Sequence, residues 1–202
     1  QLSRTDYRND ALIVAGDISD RFEIIRDTLQ LLRNKFRHLL FTPGNHELWV
    51  RGVDYDSIQK LQRVLALCRE LDVSTSPVRF DDFWVVPLFS WYDGVFDPEL
   101  NGERLARQAW ADFHFCKWPD EATPLSDYFL HLNEPYLKTY DAPVITFSHF
   151  LPRAELLPPK EYLRISWLGS VSVCAALDKQ IRQLGSTLHV CGHTHTQVDH
   201  VI

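Results

Sequence analysis

The sequence predicts an α/β fold built on parallel strands. Two observations carry that expectation. A wholly apolar run at 11–15 (ALIVA) and a largely apolar one at 38–41 (HLLF) stand about 20 residues apart with an amphipathic stretch between them, the pattern of a strand–helix–strand unit. Four short apolar runs end in a turn that carries Asp, Asn or His: GDISD at 16–20, GNHE at 44–47, SHF at 148–150 and GHTH at 192–195. In open α/β sheets the loops beyond the carboxyl ends of strands are where ligands collect.

Residues 11–15 read as a buried strand that stops at Gly16-Asp17. Between 20 and 36, Phe22, Ile25, Leu29, Leu32 and Phe36 recur at steps of three and four, which predicts a helix with one apolar face. Residues 38–41 return as a strand and Pro43-Gly44 opens the turn bearing Asn45 and His46. Asp56 or Ser57 can cap a second helix whose face is Ile58, Leu61, Leu65, Cys68 and Leu71. Residues 83–87 (FWVVP) read as a strand. The stretch 88–142 is rich in aromatic residues, with helices expected near 102–115 and 125–140 and Pro119 and Pro124 as breaks. Strands are expected at 144–147 and 187–191, with a helix over 170–184 closed by Gly185 between them. A last strand is expected to start at 197–202.

Composition narrows the function classes. A chain of 202 residues is long enough to bury roughly 70% of its unfolded surface, and residues 1–202 read as one domain with an aromatic-rich, partly helical insert at about 88–142. A net charge of −6 supplies no broad basic field, so extended nucleic acid is not an expected partner. No apolar run reaches the length of a membrane span. Cys68, Cys116, Cys174 and Cys191 lack CxxC spacing, which points to reduced thiols and a soluble intracellular protein, with Cys191 as a small buried filler. The oligomeric state is left open.

Asp17, Asn45, His149, His193 and His195 offer carboxylate, amide and imidazole ligands, a set suited to first-row divalent metals. Taken singly, Asp17 reads as a helix cap, His149 as a core or capping histidine, and GHTH at 192–195 as a turn with one solvated imidazole. Together and in this order, the four runs resemble the calcineurin-like metallophosphoesterases, which hydrolyse phosphate esters with two bridged metal ions. The resemblance implies a four-layer α/β/β/α sandwich. It implies that Asp17 bridges two metals, that Asn45 binds one through its amide oxygen, and that His149, His193 and His195 complete the ligand shells. It also implies that His46 contacts the phosphoryl group and protonates the leaving oxygen, with Glu47 or Asp20 orienting its ring. The cations expected in the complete enzyme are two Mn, Fe or Zn ions, which activate water and offset developing charge.

The family also carries a DxH motif 25–40 residues before GDxxD, whereas only 16 residues precede Asp17 here and Asp6-Tyr7-Arg8 is the nearest approach. The fold is therefore expected to be incomplete at both ends, with about one metal held by this stretch. The expected substrate is a small or medium phosphate mono- or diester, gripped by Arg51 and Arg153. The rival reading is a non-catalytic partner-binding scaffold with a degenerate metal site.

Overall fold

The computed structural model describes residues 3, 7–94, 102–122, 124–159, 165 and 167–201. The first strand–helix–strand unit forms as the pattern predicts: β1 (Ala11–Val14), α1 (Phe22–Arg33) and β2 (His38–Phe41). The two strands pair in parallel, Ala11 opposite His38 through Val14 opposite Phe41. Helix α2 (Ser57–Glu70) starts at Asp56, whose carboxylate accepts from the Gln59 N–H while the Gln59 side chain accepts from the Asp56 N–H. That reciprocal pair satisfies two amides that a helix start would otherwise leave open.

A second sheet follows, from β3 (Val78–Arg79), β4 (Trp84–Pro87), β5 (Val144–Phe147) and β6 (Ser186–Val190) in that spatial order. β3 pairs antiparallel with β4, and β4, β5 and β6 run parallel.

Strand alternation sorts the side chains into layers. Leu39 and Phe41 of β2 pack outward with Ile25 and Leu29 of α1 and Val64 and Leu67 of α2. Leu40, between them, faces the other way and joins Val85 of β4 and Phe147 of β5 in a cluster between the two sheets. On the far side of the larger sheet, Val86 and Val144 meet Leu177 and Ile181 of a C-terminal helix. The order is helices, sheet, sheet, helix, the four-layer α/β/β/α arrangement.

Between β4 and β5 lie α3 (Gly102–Ala109), α4 (Asp112–Phe115) and α5 (Leu125–His131). The helix expected over 102–115 is thus interrupted, and the interruption turns Asp112 into the interior, where it is 1% exposed. The helix expected over 125–140 stops at His131. Pro135 then sits inside a 3-10 turn, Glu134–Tyr136, and Asn133 leaves the helical pattern to pair with both the N–H and C=O of Phe89. Trp91 anchors this region against Trp118, Phe129 and Phe150. Residues 95–101 and 123 of the expected insert lie outside the described residues.

Two further expectations are corrected. The helix over 170–184 is shorter: a 3-10 turn, Leu168–Val171, precedes α6 (Leu177–Gln183). Val173 between them makes a parallel bridge to Leu151, and strand-like backbone pairing with Leu151 competes with helix for this β-branched run. Residues 197–201 follow β6 without forming a strand, and residue 202 lies outside the described residues. The four cysteines are free, and burial pushes the Cys68 and Cys174 thiols up to about 12, so they act as small apolar fillers. No helix among the described residues is long and apolar enough to cross a membrane.

Candidate metal centre

Four loops converge where β1, β2, β5 and β6 end. Each strand delivers one side chain: Asp17 after β1, Asn45 after β2, His149 after β5 and His193 after β6. The ligand atoms of Asp17, His149 and His193 lie within 4.8 Å of one another. Such close approach needs glycine. A Cβ on Gly16 would stand 2.4 Å from the Gly44 nitrogen, and one on Gly44 would stand 2.4 Å from Asp17 Oδ1. The loops could not meet with any side chain at either position. Asp17 and His193 adopt left-handed backbone, φ 60° and 70°, and so does His195 at 53°. Non-glycine residues hold that conformation at a cost, and such costs collect at functional sites.

Hydrogen bonding shows what the site is built to receive. His149 is 1% exposed and its Nδ1 lies 2.7 Å from the Ala15 carbonyl oxygen. A carbonyl only accepts, so Nδ1 donates to it and Nε2 is the nitrogen turned toward the other loops. Nε2 faces Asn45 Oδ1 at 3.1 Å, His193 Nδ1 at 3.1 Å and Asp17 Oδ1 at 3.4 Å. Burial, and then the neighbouring His149, hold His193 well below the ordinary histidine range, so its ring is neutral. Two ring nitrogens and two side-chain oxygens thus face one another across the gap between the loops. A buried cluster of that kind is satisfied by a cation, and a neutral imidazole is the form that binds one.

Asn45 presents oxygen rather than nitrogen for a definite reason. Its Nδ2 donates to Asp112 Oδ1 at 2.8 Å. The same oxygen accepts from Trp49 Nε1 at 2.7 Å, and Asp112 Oδ2 accepts from Trp110 Nε1 at 2.8 Å. Burial leaves the pKa of Asp112 raised, and the N–H groups of Asn45, Trp49 and Trp110 offset only part of that rise.

The other predicted site residues divide. His46 is half-buried and stacks on Trp49, ring centroids 3.8 Å apart and 29° between planes. Glu47 is fully buried, and its carboxylate accepts from the N–H groups of Asp17 (2.8 Å), Ile18 (2.6 Å), Ser19 (3.2 Å) and Gly44 (2.7 Å). It therefore pins the Asp17 loop to the Asn45 loop instead of orienting the His46 ring. Burial and the charge of Asp17 push its pKa up against those backbone donors. Asp20 pairs with Arg51, Nη2 to Oδ2 at 2.6 Å, and is likewise engaged away from His46.

Arg51 lies over the Phe115 ring at 4.5 Å and the Trp49 ring at 5.3 Å, so it shares a platform with His46. Arg153 is paired with Glu155 at 2.6 Å and faces Asp178 at 3.5 Å. His195 is exposed and stands apart from the Asp17–His149–His193 group.

Two residues escaped the sequence reading. Asp112 carries no motif, and its partner Asn45 is 67 residues away. Lys60, 2% exposed on α2, donates through Nζ to the Asp20 carbonyl at 2.6 Å and to the Trp49 carbonyl, tying the two loops together. Its one signal was a lysine inside an otherwise apolar helical face.

The calcineurin-like phosphoesterase profile matches residues 1–197. The chain belongs to the calcineurin-like phosphoesterases. Among named relatives of this family, the chain is 37% identical over 139 residues to the acyl-carrier-protein phosphodiesterase PptH of Mycobacterium tuberculosis. That match covers 63% of this chain and 40% of PptH, so the chain spans two-fifths of the curated relative it matches. A crystal structure of the phosphopantetheinyl hydrolase PptH from the same organism superposes with a TM-score of 0.77 at 25% identity, covering 97% of this chain and 79% of that one. As a calcineurin-like phosphoesterase, the chain carries a centre whose donors suit divalent metal.

Proposed function

We propose that this protein hydrolyses a phosphodiester in a metal-dependent reaction, with Asp17, Asn45, His149 and His193 holding a divalent cation of the Mn, Fe or Zn class. The observation that carries this reading is the convergence of Asn45 Oδ1, His193 Nδ1 and Asp17 Oδ1 on His149 Nε2. A bound metal pair supplies an activated water and neutralises charge on the phosphoryl oxygens. Asp17, together with His195, the exposed imidazole two residues beyond His193, would help to hold a second ion.

The chain's own residues then divide the work. His46, held flat on Trp49, donates a proton to the departing oxygen through its imidazole. Arg51, on the same platform, takes a non-bridging phosphate oxygen, with Asp20 fixing its guanidinium. Arg153 could do so only by leaving Glu155, and is the weaker candidate. Glu47 and Lys60 hold the loops in register.

The substrate class follows from the relative. Similarity to an acyl-carrier-protein phosphodiesterase supports a protein-bound phosphopantetheine phosphodiester over a small free ester. Incubating the protein with Mn²⁺ and a phosphopantetheinylated carrier protein should release 4′-phosphopantetheine, read by the mass loss of the carrier, and EDTA should abolish it. Turnover of bis(p-nitrophenyl) phosphate without change in the carrier would keep the phosphodiesterase reading and remove the carrier substrate. Hydrolysis of neither would remove both.

A further inference from the structure

We propose that Asp112 is the positioning residue of the metal centre: it holds the Asn45 amide with its oxygen toward the cation and, through Trp49, sets the ring on which His46 lies. The proposal rests on the metal-dependent reading above. Asp112 comes from α4, outside all four strand-end loops, and is buried at 1% exposure.

The argument turns on which groups can only donate. Indole N–H has no acceptor capacity, so Trp49 at Oδ1 and Trp110 at Oδ2 commit both carboxylate oxygens as acceptors. Asn45 therefore meets Asp112 with its NH₂ and turns Oδ1 toward His149 Nε2, 3.1 Å away. Without the carboxylate the amide is free to rotate half a turn, which would aim an NH₂ at the cation. The same Oδ1 that fixes Asn45 fixes Trp49, and His46 stacks on Trp49 at 3.8 Å. Trp110, held by Oδ2, presents its ring to His193 with centroids 5.9 Å apart. One carboxylate thus stands a single contact from a metal ligand and two contacts from the His46 ring and from His193. Partners that orient ligands in this way are worth about 10–100-fold in metal affinity.

The test is Asp112→Asn, alone and with Trp110→Phe. The side-chain amide introduced by Asp112→Asn has one acceptor end and one donor end. Either its NH₂ faces the Trp110 N–H, or it faces the donors of Trp49 and Asn45. Removing the Trp110 donor frees the first arrangement and restores an acceptor to Asn45 and Trp49. Mn²⁺ titration by calorimetry should show Asp112→Asn weakened about 10–100-fold and the double variant recovering most of that loss. Melting temperature is followed in parallel. kcat in Asp112→Asn should fall further for alkyl than for p-nitrophenyl diesters, because the His46 support is disturbed as well.

A folded Asp112→Asn that binds Mn²⁺ like the wild type, whatever its melting temperature, would overturn the positioning role and leave the proposed function standing. Wild-type protein that binds no Mn²⁺ would overturn both. Should the single variant fail to fold, the double variant decides: near-wild-type affinity supports the proposal, and a full loss defeats it.

Discussion

His46 shows how much chemistry a single ring owes to its neighbours. Glu47 and Asp20 are engaged elsewhere, so its orientation comes from stacking on Trp49. His46→Gln should leave metal content unchanged and lower kcat on the order of 10²–10⁴-fold for alkyl esters, with a smaller loss for p-nitrophenyl esters. Equal losses on both substrates would remove the general-acid role, and loss of metal would place His46 among the ligands. The motif residues were legible because each follows an apolar strand and sits beside glycine, so a local pattern betrayed them. Asp112 was not legible. An aspartate in the run WADFHF looks like a helix start, and only tertiary contact with Asn45, Trp49 and Trp110 gives it a different meaning.

At the scale of elements, helix periodicity was readable where one face is buried, as in α1 and α2, and strands where an apolar run lies inside the fold, as in β2, β4 and β5. They failed at 170–176, where Val173 bridges Leu151, and beyond Asn133, where an amide binds the Phe89 backbone. Both failures are distant pairings overriding local preference. His189 belongs to the same class: no motif marks it, yet it ties β6 to β5. Its ring nitrogens lie 2.8 Å from Thr146 Oγ1 and 3.0 Å from Ser148 Oγ. Ser148 Oγ donates to the Phe150 carbonyl, so it accepts from His189 Nε2–H, and Thr146 donates to Nδ1. Both nitrogens are used by the neutral ring, and burial holds its pKa down at about 4 against an ordinary 6.5. Above pH 6.5 neither folded nor unfolded chain carries this proton and the tie contributes fully. Between 6.5 and 4 the unfolded chain takes up a proton that the folded one refuses, so stability falls as pH falls, by up to about 3 kcal/mol. Below 4 the contribution levels off. Urea midpoints at pH 7 and pH 5 should therefore differ less in His189→Gln than in the wild type. An unchanged difference would assign the acid sensitivity to other groups.

For the whole molecule, the decisive fact is that the ligands come from both sheets. Asp17 and Asn45 follow β1 and β2 of the smaller sheet, whereas His149 and His193 follow β5 and β6 of the larger one. Leu40, Val85 and Phe147 join the sheets through apolar contact, and a cation would join them again at their carboxyl ends. Metal binding should then appear as global stability. A ligand held by the folded state alone at a hundred times its Kd adds about 2.7 kcal/mol. For a chain of this length that corresponds to about 5–10 °C in melting temperature. Mn²⁺ should raise the transition of EDTA-stripped protein by that amount, and Asp17→Asn should remove the rise. The substitution isolates charge from backbone, because Asn accepts the left-handed conformation of residue 17 as readily as Asp does. It also lifts the repulsion that Asp17 shares with the buried Glu47, so the stripped variant should melt no lower than the stripped wild type. A stripped protein whose melting is indifferent to Mn²⁺, Fe²⁺ and Zn²⁺ would mean that the four side chains do not hold an ion between the sheets, and the catalytic reading would fall with them.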